Sequence, residues 1–275
     1  MDRDNFFKLK PISPSCTRIV KDLVPYGKFY PRDFIDKIGD SDHFYIDYLC
    51  DAERDNISSG KYSNWKYYFN QYNFRDEWHF DRRKKIGFFG CSFTFGEGID
   101  SKDTFVQIVG NELNYSSFNF GIGGASQERI LRTYMAALRV IDFDIVVVTL
   151  PTPIRQMYVS DDGEIVNLIP MHNEDAYTKV GKELTRLTDT YYYNKELTNI
   201  NTFKMLADLK GIKILIGSWD HPTVELVKQT MPSIALDPFP NIDKHEARDN
   251  QHPGPISQKT YARQIMEVLR GKTWI

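Results

Sequence analysis

Ile145-Val146-Val147-Val148 is an unbroken β-branched run, and it limits the fold more than any other segment of the chain. A strand that shows water on one face alternates apolar and polar residues, so a strand that is apolar throughout has both faces of its sheet covered. Ile86-Gly87-Phe88-Phe89, ending at Gly90, reads as a second strand of this kind. Ser117-Phe118-Asn119-Phe120 reads as a further strand, and Ile212-Lys213-Ile214-Leu215-Ile216-Gly217 as another buried one. The intervening segments have helical spacing. Phe105, Ile108, Val109 and Leu113 mark a helix over 103–113, and Leu131, Tyr134, Met135 and Leu138 mark one over 126–141. Residues 174–210 read as mostly helix, and 256–270 as a C-terminal helix. Asp161-Asp162-Gly163, between Met157-Tyr158-Val159 and Ile165-Val166, reads as a hairpin turn. Strands alternating with helices predict an α/β fold with a parallel sheet between helices, its site at the carboxyl ends of the strands.

The first 84 of the 275 residues look different. They are rich in Tyr, Phe, Asp and Lys, lack long periodic apolar segments, and are punctuated by Pro11, Pro14, Pro25 and Pro31. They are expected to form an irregular N-terminal lobe over 1–84 with short helices, packed on a core domain over 85–275. Trp65, Tyr67 and Trp78 in this part are expected to pack in the core, with stacking on a ligand as the second reading. Lys+Arg (35) and Asp+Glu (37) nearly cancel, so no overall charge favours nucleic acid or an anionic membrane as a partner. The run Asp81-Arg82-Arg83-Lys84-Lys85 is a solvated lead-in to the first core strand. Cys16, Cys50 and Cys91 have no paired spacing, which argues against a disulfide framework and against a zinc site. The charged start Met1-Asp2-Arg3-Asp4-Asn5 has no apolar signal segment, and no apolar run reaches the ~18 residues of a spanning helix. A soluble, cytoplasmic protein is the expectation.

Three segments carry chemistry. Gly90-Cys91-Ser92 sits where the first strand turns toward a helix and has two readings: a loop that only turns the chain, or a site in which Ser92 projects its hydroxyl from the carboxyl edge of the sheet and its own N–H can help hold an oxyanion. Thr94 stands where a G-x-S-x-G elbow needs glycine, and no Gly-Lys-Ser/Thr follows to make a phosphate loop. Asp249-Asn250-Gln251-His252 can aim a carboxylate and an imidazole at one spot, with His245 a competing base. Asn119-Phe120-Gly121-Ile122-Gly123-Gly124-Ala125-Ser126 follows the second strand. Ser126 stands where a dinucleotide fingerprint needs glycine, so the glycines serve an oxyanion N–H donor or close helix–strand packing instead.

In these segments the chain resembles the SGNH (GDSL-like) hydrolase family. Gly90-Cys91-Ser92-Phe93-Thr94-Phe95-Gly96-Glu97-Gly98 is similar to the family's first block, G-D-S-x-T-x-G. The segment from Asn119 to Ser126 is similar to its second block, and Asp249 with His252 matches the D-x-x-H of its last. Asn70 with Phe74-Arg75 resembles an N-x-x-G-F-R lead-in. The resemblance spans roughly residues 70–270 and implies a flavodoxin-like three-layer sandwich with a central parallel sheet. It also implies hydrolysis of esters, often acyl groups on sugars or lipids, by a triad of Ser92, His252 and Asp249. Gly124 aligns with the glycine that donates an N–H to the oxyanion.

Two positions depart from the family. Cys91 replaces the first-block aspartate and is a rival nucleophile, although a buried cysteine is commonly inert. The third block, G-x-N-D, is replaced by Thr149-Leu150-Pro151-Thr152-Pro153-Ile154-Arg155, which lacks the asparagine of the oxyanion hole. Thr152 or Arg155 is the candidate substitute. Arg155 would also attract an anionic substrate, its alternative being a structural ion pair, and Thr94 is carried as a further substrate-binding candidate. The expected reaction needs neither metal nor organic cofactor, and the expected partner is a small-molecule or glycan ester. A non-catalytic carbohydrate-binding or structural module and an O-acyltransferase remain the alternatives.

Overall fold

A computed structural model describes residues 44–46, 51–63, 67–70, 74–76, 78, 82–159, 165–168 and 189–275. The helix expected over 174–188, the turn at Asp161-Asp162-Gly163, Trp65, Cys16, Cys50 and the four early prolines lie outside the described residues. In chain order the elements are β1 (Phe44–Ile46), α1 (Asp51–Ser58), β2 (Tyr67–Phe69), β3 (Lys85–Gly90), α2 (Ser92–Phe95), a single turn at Ser101–Asp103, α3 (Phe105–Leu113), β4 (Ser116–Gly121) and α4 (Gln127–Ala137). They continue with β5 (Ile145–Leu150), β6 (Gln156–Val159), β7 (Ile165–Leu168), α5 (Asp189–Lys210), β8 (Lys213–Ser218), α6 (His221–Thr230) and α7 (Pro255–Gly271).

β4, β3, β5 and β8 form a parallel sheet in that order. Alternate side chains of β3, β5 and β8 feed two separate cores, and Phe118 and Phe120 of β4 join one of them. Ile86, Phe88, Ile145, Val147 and Leu215 pack with Phe105, Val106, Tyr261 and Ile265 of α3 and α7. Phe89, Val146, Val148, Ile214 and Ile216 pack on the other face with Ile130, Tyr134, Ile200, Phe203 and Val227 of α4, α5 and α6. This is the physical reason for the apolar runs of β3, β5 and β8: each is buried on both faces, so neither side of its pleat needs polar residues. The helices begin where the sequence supplies an acceptor for the exposed N–H groups of a first turn. Thr104 accepts from Gln107 N, Ser126 from Arg129 N, and Asp220 from Thr223 N. β6 and β7 pair antiparallel, Val159 opposite Ile165, as the expected hairpin requires.

Of the described residues before 84, Phe74 and Trp78 pack on this sheet, buried against Phe118 and Phe120, the Trp78 and Phe120 rings lying 4.9 Å apart. Tyr67 and Trp78 are both buried, at 2% and 7% exposure, so neither ring is available to stack on a sugar. Among the described residues no helix is long and apolar enough to cross a membrane.

Counted along the chain, the sheet order is second, first, third, fourth strand. The connections leaving β3 and β5 go to opposite sides, which opens a crevice at the carboxyl ends of these two neighbours. Ser92 follows β3 and the 151–155 loop follows β5, so both border that crevice.

Candidate active site

Ser92 is the first residue of α2, and its N–H has no intrahelical acceptor. The helix lies directly on β4: a Cβ added at Gly121 would sit 2.1 Å from Phe95 N, so only glycine lets α2 approach this closely. Gly121 is thus the second-block glycine that serves packing. Gly124 adopts φ +68, a left-handed conformation, and among the described residues its N–H has no acceptor.

The D-x-x-H segment reaches Ser92 from the other end of the domain. Asp243 caps α7 from a distance, accepting from Ile256 N at 2.8 Å, from Ser257 N at 3.0 Å and from the Ser257 hydroxyl. Asp249 is 3% exposed and its Oδ1 accepts the N–H groups of Gln251 (3.0 Å) and His252 (3.1 Å), which closes the loop into a tight turn. Its Oδ2 lies 2.5 Å from His252 Nδ1, and His252 Nε2 lies 2.8 Å from Ser92 Oγ. Serine, imidazole and carboxylate therefore form one hydrogen-bonded line. His245, the competing base, is exposed and turned toward the carbonyl of Gln251 at 3.2 Å.

The electrostatics favour a charged pair. Burial opposes protonation of His252, but the hydrogen bond its Nδ1–H donates to Asp249 and the charges of Glu97 and Asp249 outweigh both burial and the charge of Arg155, so its pKa rises above 6.5. Burial disfavours the Asp249 carboxylate, yet the bond and charge of His252 and the N–H donors of Gln251 and His252 prevail and lower its pKa.

The remaining candidates fall in different places. Cys91 is fully buried within the core beside α4, its Sγ making no cap bond to α2, so it is closed to a substrate. Thr94 is also fully buried, and a Cβ at Gly90 would meet its Oγ1 at 2.0 Å. The turn of α2 that presents Ser92 folds Thr94 back under β3, so the expected substrate-binding role is not open to it. Thr152 is half-buried on the loop after β5. Arg155 lies with its guanidinium 5.3 Å over the Trp219 ring, and its Nη1 has no hydrogen-bond partner among the described residues. Asn70 bonds Phe74 N and Asp76 O, which orients Arg75. Arg75 is buried and donates to Phe95 O at 2.8 Å, to Ile99 O at 2.5 Å and to Gly96 O.

Two features of the pocket had no role in the sequence reading. Phe93 lies edge-on to His252 at 5.6 Å and stacks on Trp219 at 5.5 Å, an aromatic wall signalled only by its place next to Ser92. Glu97 points its Oε2 at His252 Nε2, 3.9 Å away. Among the described residues no cluster of His, Cys, Asp and Glu is arranged to hold a metal ion.

No family model and no curated protein matches the chain. Solved structures do. A carbohydrate esterase, described as having an active site with divergent catalytic and non-catalytic binding functions, superposes with a TM-score of 0.50 at 14% identity, over 73% of this chain and 69% of that one. The chain has an SGNH hydrolase-like fold. TesA (TM-score 0.46, 14% identity, 68% of this chain and 99% of that one) and a family two carbohydrate esterase from Clostridium thermocellum (TM-score 0.45, 15% identity, 73% and 68%) are further matches.

Proposed function

We propose that this protein is a serine ester hydrolase that works through an acyl-enzyme. The hydrogen-bonded line from Ser92 through His252 to Asp249, at the crevice between β3 and β5, is the observation that carries the reading. His252 takes the Ser92 proton as Oγ attacks the ester carbonyl, and the carbonyl π pair moves onto oxygen. Asp249 holds the ring with Nδ1–H toward itself and stabilises the imidazolium. The N–H groups of Ser92 and Gly124 receive the oxyanion, with Thr152 or Arg155 in place of the missing third-block asparagine. The imidazolium then gives its proton to the leaving alcohol, and a water activated by His252 releases the acid. The likeness to a carbohydrate esterase supports a short acyl ester of a carbohydrate as substrate, and the family resemblance adds lipid esters. Arg155, with a donor to spare beside the aromatic wall, suits an anionic group on that substrate. We assign the activity to residues 85–275, with 1–84 as an extension packed on them.

The test is a fluorophosphonate probe together with p-nitrophenyl acetate. Labelling and turnover are expected for the wild type and neither for Ser92→Ala; labelling that persists in Ser92→Ala rejects the assignment. The altered loop at 149–155 favours a second reading, a non-catalytic carbohydrate-binding module. Glycan binding by a chain that turns over no acyl ester selects it. An O-acyltransferase would use the same triad and is separated by products formed with an added sugar acceptor.

A further inference from the structure

We infer that Glu97 is a fourth functional residue of this site, a positioning residue whose carboxylate acts on the His252 ring from its Nε2 edge while Asp249 acts on Nδ1. The inference rests on the triad reading above for its catalytic meaning, but the pairing itself is geometric. Glu97 Oε2 lies 3.9 Å from the nitrogen that also faces Ser92 Oγ. Its side chain is 31% exposed, so it stands at the mouth of the site rather than in the core.

The chain on both sides of Glu97 is fixed, which is why its carboxylate is held there. The N–H groups of Gly96 and Glu97 both donate to Ser92 O, at 2.8 and 3.1 Å. Gly98 N donates to the Tyr67 hydroxyl at 2.7 Å, and Gly98 O accepts from Arg248 N at 2.8 Å. Arg75 holds the carbonyls of Gly96 and Ile99. The turn is thus tied to the nucleophile, to β2, to the loop that carries Asp249 and His252, and to the lead-in at Arg75. Ser92 and His252 cannot move far without carrying Glu97 along.

The consequence is electrostatic. As the Ser92 Oγ–H proton passes to Nε2 and the new Oγ–C bond forms, the ring becomes a cation flanked by two carboxylates. The charges that face Glu97 are His252, Asp249, Glu53 and Arg75; those that face His252 are Asp249, Glu97 and Arg155. Burial raises the Glu97 pKa, His252 opposes this, Asp249 and Glu53 add to it, and Arg75 counters it. In return the Glu97 charge is one of the influences that raise the pKa of His252. Glu97 therefore favours the imidazolium formed in the attack, at the expense of a base that goes neutral only at higher pH.

The experiment is a proton titration of the six-histidine chain by NMR, with the His252 ring assigned by the signal lost in His252→Asn. Glu97→Gln is expected to lower the His252 midpoint by about one pH unit, the size of effect a charge ~4 Å away supports in a partly exposed site. Glu97→Ala should give the same fall, and Glu97→Asp, which keeps the charge, a smaller one. The acidic limb of p-nitrophenyl acetate turnover should move to lower pH in the same order. A His252 midpoint unchanged in both Glu97→Gln and Glu97→Ala overturns the inference. The titration is read without substrate, so its failure is distinct from failure of the esterase reading, which Ser92 labelling decides.

Discussion

The Lys195 ammonium donates to the carbonyl oxygen of Arg155 at 3.1 Å, and this bond ties the loop after β5 to α5. The same ammonium donates to Pro153 O at 3.1 Å and pairs with Glu128 at 2.6 Å, with a side chain 9% exposed. A second tie lies beside it. Gln127 donates to Pro151 O at 2.9 Å and to Glu196 at 2.8 Å, and Glu196 also accepts from Thr223 at 2.6 Å. The loop after β5 is thus held from α4 and α5, with Thr223 of α6 fixing Glu196 behind them, and with it the backbone that carries the Arg155 side chain.

Lys195→Met tests that anchor. It leaves two carbonyls and the Glu128 carboxylate without their cation, so stability should fall by about 1–3 kcal/mol in a denaturant melt. KM for an anionic ester should rise more than KM for p-nitrophenyl acetate, because Arg155 loses its fixed base, while Ser92 labelling persists. Equal KM values in variant and wild type would show that the anchor does not shape the pocket.

Asp249→Asn tests the line itself. An amide in place of the carboxylate no longer holds the Nδ1–H tautomer and no longer offsets the imidazolium, so kcat should drop by roughly 10³–10⁴. Circular dichroism should show the fold retained. A loss below tenfold in p-nitrophenyl acetate turnover would remove Asp249 from the mechanism.

The pH profile has a definite sign. In the proposed mechanism His252 acts as the base only when neutral, and its pKa in the folded protein is raised above the ordinary 6.5. The acidic limb of kcat/KM, which reports the free enzyme, should therefore have its midpoint above 6.5, with activity lost as the pH falls through it. The Asp249 carboxylate, whose pKa is lowered, stays charged throughout this range. A midpoint clearly below 6.5 would contradict the charge arrangement around the ring.

The sheet was readable from the sequence because burial on both faces writes itself as apolar runs, and each expected core strand is present within a residue or two of its ends. The helix α6 was not anticipated, although Asp220 and Pro222 form a start signal, because the residues after them are mixed in character. His252 and Asp249 were readable because the pair is local, three residues apart. Thr94 misled because linear proximity to Ser92 says nothing about which way a tight helical turn points. Lys195 and Glu97 could not be assigned roles because their partners arrive through the fold: Lys195 meets the loop across 42 and 40 residues of chain, and Glu97 meets a ring carried by the far end of the domain.

Arg75→Met should show how far the site depends on residues before the first core strand. Arg75 is 1% exposed and supplies the donors for three carbonyls of the 95–99 segment, which follows the nucleophile directly. Its loss takes a donor from each of these buried carbonyls, Phe95 O keeping Asn119 Nδ2 and Gly96 O keeping Ile99 N, and stability in a denaturant melt should fall by about 1–3 kcal/mol.

Gly121→Ala makes the strongest claim about geometry. The added methyl meets Phe95 N at 2.1 Å, Phe95 Cα at 2.5 Å and Thr94 C at 2.6 Å, all backbone atoms of α2 and therefore unable to rotate away. Either α2 lifts off β4 or β4 recedes, and in both cases Ser92 is displaced against His252, whose loop is held by Asp243 and the start of α7 as well as by Gly98 O. A displacement of about 1 Å at a reacting group can cost ~10² in rate, and overpacking at a tight contact costs about 1–3 kcal/mol. Turnover of p-nitrophenyl acetate should thus fall by roughly 10²-fold, in a chain that still folds at 20 °C or below. A Gly121→Ala chain with wild-type turnover would mean that α2 can shift without disturbing the line from Ser92 to Asp249, and that the close contact on β4 serves packing alone.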